Sequence, residues 1–257
     1  MLSKNKIKLI KSLSDKKTRE KENLFVVEGN KAIYDLLTSG LKARTLVVTP
    51  KFLVSLSDEN YSADEVIEAS DEEIRKCSLL KNPQQAIALF PLISSVVSPA
   101  QMKGKLSLAL DTIQDPGNLG TIIRLADWFG IENVICSEET VDVFNPKVIQ
   151  ATMGAIARVK VRYTNLPQFL AECSELDIPV YGTFLNGDII YKKELSEEGI
   201  IVMGNEGNGI SEAVADQITD RLFIPSFPPD QPTSESLNVA VATSIICSEF
   251  RRQHFIS

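Results

Sequence analysis

Two short segments combine glycines with polar and charged side chains at spacings that could hold a ligand. In residues 115–124 (DPGNLGTIIR), two glycines permit a tight turn, and Arg124 follows Asn118 by one to two helical turns. In residues 204–209 (GNEGNG), three glycines in six residues indicate a backbone wrapped closely around a ligand, and Glu206 is the only ionisable group. The second segment matches neither the GxGxxG fingerprint nor the lysine-containing phosphate loop.

A third segment, residues 224–238, is rich in proline and leads into the last predicted helix. Ser236 can cap that helix, and backbone N–H groups at a helix start can receive an anion or a carbonyl. Each of the three segments follows an apolar run typical of a strand, and ligands of open parallel sheets bind at the carboxyl ends of the strands. We therefore expect the segments to meet, although each alone also fits an ordinary turn, loop or cap.

The elements that position these segments alternate between strands and helices, which is typical of an α/β fold. The apolar run at 105–111 predicts a strand covered on both faces. Further strands are predicted at 133–136, 159–163, 178–185, 199–205 and 220–225, and helices at 119–129, 145–152, 166–175 and 236–252.

A shorter series of strands and helices precedes the one that begins at residue 105. Its predicted elements are a helix at 4–21, strands at 25–29, 43–48, 65–70 and 85–92, and a helix at 32–37. Residues 93–105 contain serine, proline and glycine with little periodicity, which is typical of a linker. We therefore divide the chain into an N-terminal domain at 1–95, a linker at 96–105 and a C-terminal domain at 106–257.

Composition excludes several functional classes. The 257 residues include four cysteines, far apart and without a CxxC pair, and a single histidine, His254. Disulfide scaffolds, histidine bases and histidine-rich metal sites are therefore not expected. No apolar run approaches 18 residues, and the basic N-terminus lacks the apolar stretch of a secretory signal. We expect a cytoplasmic protein that needs no metal and no membrane.

Charge is distributed unevenly along the chain. The net charge is −7, but residues 1–31 hold nine lysines and arginines against four acids. A basic segment on an acidic body can mark an end that binds phosphate, and it can equally be the solvated face of a surface helix.

Taken together and in this order, the three segments resemble the signature motifs of the SpoU-type RNA 2′-O-ribose methyltransferases of the SPOUT superfamily. The matching stretches are DPGNLGTIIRLADWFG at 115–130, IVMGNEGNGIS at 201–211, LFIP at 222–225 and SLNVAVATSIICSEFRRQ at 236–253. FVVEG at 25–29 and the helix after it resemble the substrate-binding domain, similar to ribosomal protein L30e, that many members carry.

The resemblance implies a parallel-sheet methyltransferase domain with a deep C-terminal trefoil knot, preceded by a small L30e-like α/β domain. It implies S-adenosylmethionine as the methyl donor and a homodimer whose subunits share the active site. Carried over residue by residue, the resemblance places the cofactor cradle at Gly204, Ile224 and Leu237, with Thr183 as a further candidate.

The same resemblance implies a catalytic group made of Asn118, Arg124, Glu206, Ser236 and Asn238. In this family Arg124 would be assigned as the base, but a guanidinium with a pKa above about 12 is a poor base. Our hypothesis is that Arg124 contacts the 2′-oxygen and the adjacent phosphate, and acts as a base only if desolvated. Asn118 would orient the ribose, and Glu206 would hold Arg124 or Asn118 in place.

The N-terminal domain type favours ribosomal RNA over transfer RNA as the substrate, with an RNA-facing surface at Lys4, Lys8, Lys11 and Arg19. One departure from the family pattern is SFPPDQPTSE at 226–235, which is longer than usual and leaves the geometry of the cofactor loop open.

Two other classes remain as alternatives. One is a non-catalytic RNA-binding protein of the same fold, although all five catalytic candidates are present. The other is a nucleotide-binding oxidoreductase, which lacks support because no GxGxxG follows the first strand.

Overall fold

The computed structural model describes residues 2–93, 96–228 and 236–255. The chain forms two compact units, one made of Met1–Ser94 with Asp142–Arg158 and the other of Ser95–Val141 with Val159–Ser257. Residues 142–158 lie in the sequence between two strands of the second unit and were included in the predicted C-terminal domain, yet they cluster with the first unit. Contacts of this segment with Phe25 and Arg19 of the first unit account for this difference.

The first unit has a four-stranded sheet in the order β1-β4-β2-β3. The strand pairs β1–β4 and β2–β4 are antiparallel, and β2–β3 is parallel. Its elements up to residue 93 are α1 (Lys4–Ser12), α2 (Lys16–Glu22), β1 (Leu24–Glu28), α3 (Asn30–Thr38), β2 (Thr45–Val48), α4 (Pro50–Ser55), β3 (Val66–Glu68), α5 (Asp71–Cys77) and β4 (Ala86–Pro91).

The single helix predicted over residues 4–21 is two helices. Asp15 adopts an extended backbone conformation, and its carboxylate accepts a hydrogen bond from the backbone N–H of Thr18, so it caps the start of α2. Helical periodicity alone did not reveal this break, because no apolar residue stands between Leu13 and Leu24 to show whether the helix continues.

The second unit is built on a six-stranded parallel sheet in the order β10-β8-β9-β5-β6-β7. In chain order the remaining elements are β5 (Leu106–Leu110), α6 (Pro116–Trp128), β6 (Asn133–Cys136), α7 (Pro146–Thr152, in the first unit), β7 (Lys160–Tyr163), α8 (Leu166–Ser174), β8 (Val180–Ile189), β9 (Gly199–Met203), α9 (Glu212–Ala215), β10 (Asp220–Phe223) and α10 (Val239–His254). Strands β5 and β9 are buried along their whole length, as their continuous apolar runs predict.

The returning segment completes the first unit. Within that unit α7 packs against β1, and the rings of Phe25 and Phe144 lie 4.7 Å apart between centroids. Arg19 Nη2 lies 2.6 Å from a carboxylate oxygen of Asp142. Arg19 is only 2% exposed. Its assignment to an RNA-facing surface is therefore corrected, because this guanidinium is engaged in a buried ion pair.

In the described part of the chain, no helix combines the length and the apolar character needed to cross a bilayer.

Candidate functional site

The site begins where β5 and β9 end side by side. Leu110 is paired with Met203 in the sheet, and the backbone N–H of Asp111 donates to the carbonyl of Met203 at 2.9 Å. The strand order reverses between β5 and β9, which is where parallel sheets open a crevice for ligands. The segments at 115–124 and 204–209 therefore leave the sheet at neighbouring positions, as the sequence predicts.

The glycine-rich loop after β9 is tightly closed on itself. Asn205 and Gly209 exchange two backbone hydrogen bonds of 2.9 Å, and the side-chain oxygen of Asn205 accepts from the backbone N–H groups of Gly207 and Asn208. A Cβ atom at Gly204 would lie 2.3 Å from the backbone carbon of Gly209. Only glycine fits at position 204, because any side chain would force the loop open.

This loop forms one wall of a cavity of about 460 Å³. All four predicted cofactor residues line it: Thr183, Gly204, Ile224 and Leu237. Glu206 and Ser236, from the predicted catalytic group, line it as well. Part of the lining that was not predicted from the sequence is apolar and comes from Phe184, Leu185, Val239 and Ala242. The apolar end of the predicted strand at 178–185 and the small apolar residues that open the last helix were the available signals.

Three of the predicted catalytic residues are joined by side-chain hydrogen bonds. Asn118 donates from Nδ2 to a carboxylate oxygen of Glu206 at 2.7 Å, and Asn238 donates from Nδ2 to Oδ1 of Asn118 at 3.0 Å. Each of the three residues comes from a different motif, so this chain of hydrogen bonds links all three segments. Glu206 also lines the cavity, which places the group beside it.

The last helix is capped by Asn238. Its side-chain oxygen accepts from the backbone N–H groups of Ala240 and Val241, so Asn238 caps α10 instead of Ser236. Ser236 lines the cavity and is exposed. Asn238 therefore fixes both the helix start and the amide of Asn118. Residues 229–235, which hold most of the long proline-rich insertion, lie outside the described residues.

Arg124 stands apart from this group. It is exposed on α6, does not line the cavity, and forms no hydrogen bond or ion pair with the residues that the structure describes. It lies six positions after Asn118, which is neither one helical turn nor two, so the two side chains leave α6 in different directions. From the sequence we expected Glu206 to hold either Arg124 or Asn118. In the structure Glu206 accepts a hydrogen bond from Asn118.

Known proteins are similar to this chain in sequence and in fold. A model of the SpoU rRNA Methylase family matches residues 105–248, more than half of the chain. The chain belongs to this family. A second model, the MRM3-like substrate binding domain, matches residues 4–88. The family predicted from the three motifs and the α/β class predicted from the alternating strands and helices are confirmed.

Curated sequences and solved structures include proteins that align with nearly the whole of this SpoU methylase. A 23S rRNA (guanosine(2553)-2′-O)-methyltransferase, RlmP, from Bacillus subtilis is 30% identical, and the alignment covers 96% of each chain. A protein from Porphyromonas gingivalis assigned to the TrmH family of RNA methyltransferases is 43% identical, with a TM-score of 0.87 over 98% of this chain and 99% of the other. An AdoMet-bound rRNA methyltransferase from Sinorhizobium meliloti is 30% identical, with a TM-score of 0.83 over 100% and 97% of the two chains.

The cysteines of this SpoU methylase are not poised for nucleophilic chemistry. All four are buried and free, and burial raises the pKa of Cys77 to about 11 and of Cys173 and Cys247 to about 12. Among the described residues, no group of three or more histidine, cysteine, aspartate or glutamate side chains is arranged to hold a metal ion.

Proposed function

We propose that this SpoU methylase transfers a methyl group from S-adenosylmethionine to a ribose 2′-hydroxyl of ribosomal RNA. The observation that carries the proposal is the glycine-closed cavity beside the hydrogen-bonded group of Asn118, Glu206 and Asn238. The names of the relatives from B. subtilis and S. meliloti support the substrate class, and the AdoMet-bound relative supports the methyl donor.

The residues present fit S-adenosylmethionine. A cavity of about 460 Å³ lies within the usual range for small-molecule sites, roughly 300–1,000 Å³. Its lining combines apolar side chains with exposed backbone of the loop at 204–209, which Gly204 keeps closed. We propose that Thr183, Gly204, Ile224 and Leu237 hold the cofactor. When bound, it supplies a methyl group already activated by a positively charged sulfur.

The protein's own residues then align the acceptor hydroxyl, whose proton passes to solvent water as the new carbon–oxygen bond forms. Glu206 fixes the amide of Asn118 by accepting one of its two N–H groups, which leaves the second N–H available to an incoming ribose. We propose that Arg124, exposed on α6, donates hydrogen bonds to the 2′-oxygen and the neighbouring phosphate. An exposed guanidinium is not desolvated, so here it stabilises negative charge as a donor. Ser236 contacts the target nucleotide from the cavity rim.

The direct test is methyl transfer. Purified protein is incubated with methyl-labelled S-adenosylmethionine and with ribosomal or transfer RNA from a strain that lacks this protein, and 2′-O-methylated positions are mapped. We expect one labelled ribose in ribosomal RNA. Label confined to transfer RNA would support the tRNA alternative, whereas cofactor or RNA binding without transfer would support a non-catalytic RNA-binding protein.

Replacing Gly204 by alanine is expected to abolish measurable binding of S-adenosylmethionine. The added Cβ atom would lie 2.3 Å from backbone atoms of Gly209 and Ile210, and backbone cannot swing away as a flexible side chain can. Isothermal titration calorimetry with the cofactor measures the effect. Gly207→Ala is the matched control, because a Cβ atom there meets only the side chain of Asn205, at 3.6 Å. Equal affinity in both variants would contradict the proposed cradle.

We propose that the N-terminal unit contacts RNA through a stripe of lysines on α1. Lys4, Lys8 and Lys11 are spaced by four and three residues, so they share one face of the helix, and all three are exposed. None forms an ion pair with the residues that the structure describes. Lysines that lack an acidic partner and share one face of a helix can bind successive phosphates. Arg19 cannot do so, because it is buried in an ion pair with Asp142.

Replacing these three lysines by glutamine is expected to weaken RNA binding. The slope of log affinity against log salt should fall by roughly one for each phosphate that a lysine no longer neutralises. The control replaces three other lysines by glutamine, Lys42, Lys105 and Lys160, which are exposed but paired with Asp64 or Glu132. Filter binding at several salt concentrations measures both. An unchanged slope in the first variant would exclude the stripe.

We also propose that the protein forms a homodimer and that its C-terminal domain contains a trefoil knot. We propose the cytoplasm as the location where it would modify ribosomal RNA. Support for the dimer comes from α6 and α10, which pack together while Trp128 is 84% exposed and Val241 50% exposed on them. Large apolar side chains left exposed on adjoining helices are typical of an association surface. Analytical ultracentrifugation tests the dimer, and a monomer mass at micromolar concentration would contradict it. The knot rests on the family resemblance.

A further inference from the structure

The turn after β5 holds a residue in an unfavourable backbone conformation. Thr112 has φ of +60°, in the left-handed region that β-branched residues rarely adopt. It follows the last residue of β5 by two positions and lies close to the glycine-rich loop. Such strain persists only where the surroundings hold the residue in place, and it concentrates at functional sites.

Three side chains hold Thr112. Its backbone N–H donates to Oγ of Ser137 at 2.9 Å, and its hydroxyl donates to Oδ1 of Asp111 at 3.1 Å. Its carbonyl oxygen accepts from Nδ2 of Asn205 at 2.8 Å. Every polar group of Thr112 therefore has a partner, and one of those partners belongs to the loop after β9.

The same turn holds the far end of that loop. The backbone N–H of Ser211 donates to Oδ2 of Asp111 at 2.7 Å. Asn205 and Ser211 stand at the two ends of the loop; Asn205 is bonded to Thr112, and Ser211 is bonded to the adjacent residue Asp111. Asp111 is only 3% exposed, and a buried carboxylate is costly unless its oxygens accept hydrogen bonds. Both of its oxygens do so here.

Glu206 lies inside the bracketed loop, directly after Asn205, while Asn118 lies on the helix that follows the turn. We propose that Asp111 and Asn205 are positioning residues that, through strained Thr112, set the distance between Glu206 and Asn118. This inference rests on the proposed methyltransferase function. It assigns no contact with substrate or cofactor to Asp111, which acts through Glu206.

The test is a double-mutant cycle on the full-length protein. Asp111→Asn keeps the shape of the side chain but replaces a charged acceptor of two hydrogen bonds by one neutral oxygen and an amide nitrogen that can only donate. We expect it to lower kcat about tenfold, the effect of losing one hydrogen bond to a charged group. In the background of Glu206→Ala, which removes the acceptor for Asn118, the same change is expected to cost less than about twofold in single turnover, because the side chain that Asp111 positions is gone. Glu139→Gln, an exposed carboxyl variant after β6, is the control.

A second variant separates positioning from folding. Thr112→Gly keeps the backbone donor and acceptor but removes the hydroxyl that donates to Asp111, so kcat should fall. Relief of the left-handed strain should offset the lost hydrogen bond, so the melting temperature should stay near the wild-type value. A purely structural role predicts that kcat and melting temperature change together.

The outcomes are distinguishable. Equal losses from Asp111→Asn in both backgrounds, or full kcat in Thr112→Gly, would overturn the positioning role and leave the proposed function intact. No methyl transfer by the wild-type protein to any RNA would overturn the function itself.

Discussion

Arg124→Ala is expected to lower the rate of methyl transfer by about 10²–10³-fold, the usual cost of removing a donor that stabilises a developing oxyanion. Cofactor affinity should stay unchanged, because Arg124 does not line the cavity. The variant should also fold normally, since its exposed side chain bonds to no described residue. Loss of turnover without loss of binding would locate Arg124 at the acceptor side of the reaction.

Single-turnover methyl transfer and calorimetric titration of S-adenosylmethionine measure the two quantities separately. Arg124→Lys is informative, because lysine keeps the charge but lacks the planar fork that can bond the 2′-oxygen and a phosphate together, so it should restore only part of the rate. Arg75→Ala, at an exposed arginine on α5, is the control for a general loss of positive charge. Undiminished turnover in Arg124→Ala would refute the assignment.

Arg19→Ala is expected to lower the free energy of unfolding by about 3–5 kcal/mol, the cost of leaving a buried charge without its partner. Arg19 bonds to Asp142 through Nε at 3.1 Å and Nη2 at 2.6 Å. Its Nη1 donates to the carbonyls of Leu13 and Ser14, which form the turn between α1 and α2. One side chain therefore fixes both that turn and the returning segment at 142–158.

Urea denaturation followed by circular dichroism measures the loss. The exposed pair of Lys16 and Glu20, 3.9 Å apart, supplies the control, because Lys16→Ala at such a pair should cost less than about 1 kcal/mol. Asp142→Asn should be less damaging than Arg19→Ala, since an amide oxygen can still accept from the guanidinium. A stability change in Arg19→Ala no larger than in the control would contradict the buried pair.

The residues proposed to hold the cofactor could be predicted from the sequence, because their positions follow from local patterns. Thr183, Gly204 and Ile224 each lie within or directly after a predicted parallel strand, and such strands deliver their ends to one sheet edge. Strand positions follow from apolar runs, and glycine spacing marks the close approach of backbone. Motif order then identified the family that the match over 105–248 confirms.

Other features depend on which segments meet after folding. Lysine and arginine content at 1–31 indicated a phosphate-binding face, but it could not separate Lys8, exposed on α1, from Arg19, buried against a residue 123 positions later. Nor could Ser236 be distinguished from Asn238 as the helix cap, since both are good capping residues and stand two positions apart.

Periodicity and turn chemistry act between residues a few positions apart, so the amino-acid sequence alone was enough to predict the alternating strands and helices, the glycine-closed loop and the family. The ion pair of Arg19 with Asp142, the bracket from Asp111 to Ser211 and the hydrogen bonds linking Asn118, Glu206 and Asn238 join residues 88 to 123 positions apart. Those contacts carry no local signal, because they depend on which buried polar groups packing brings within hydrogen-bond distance.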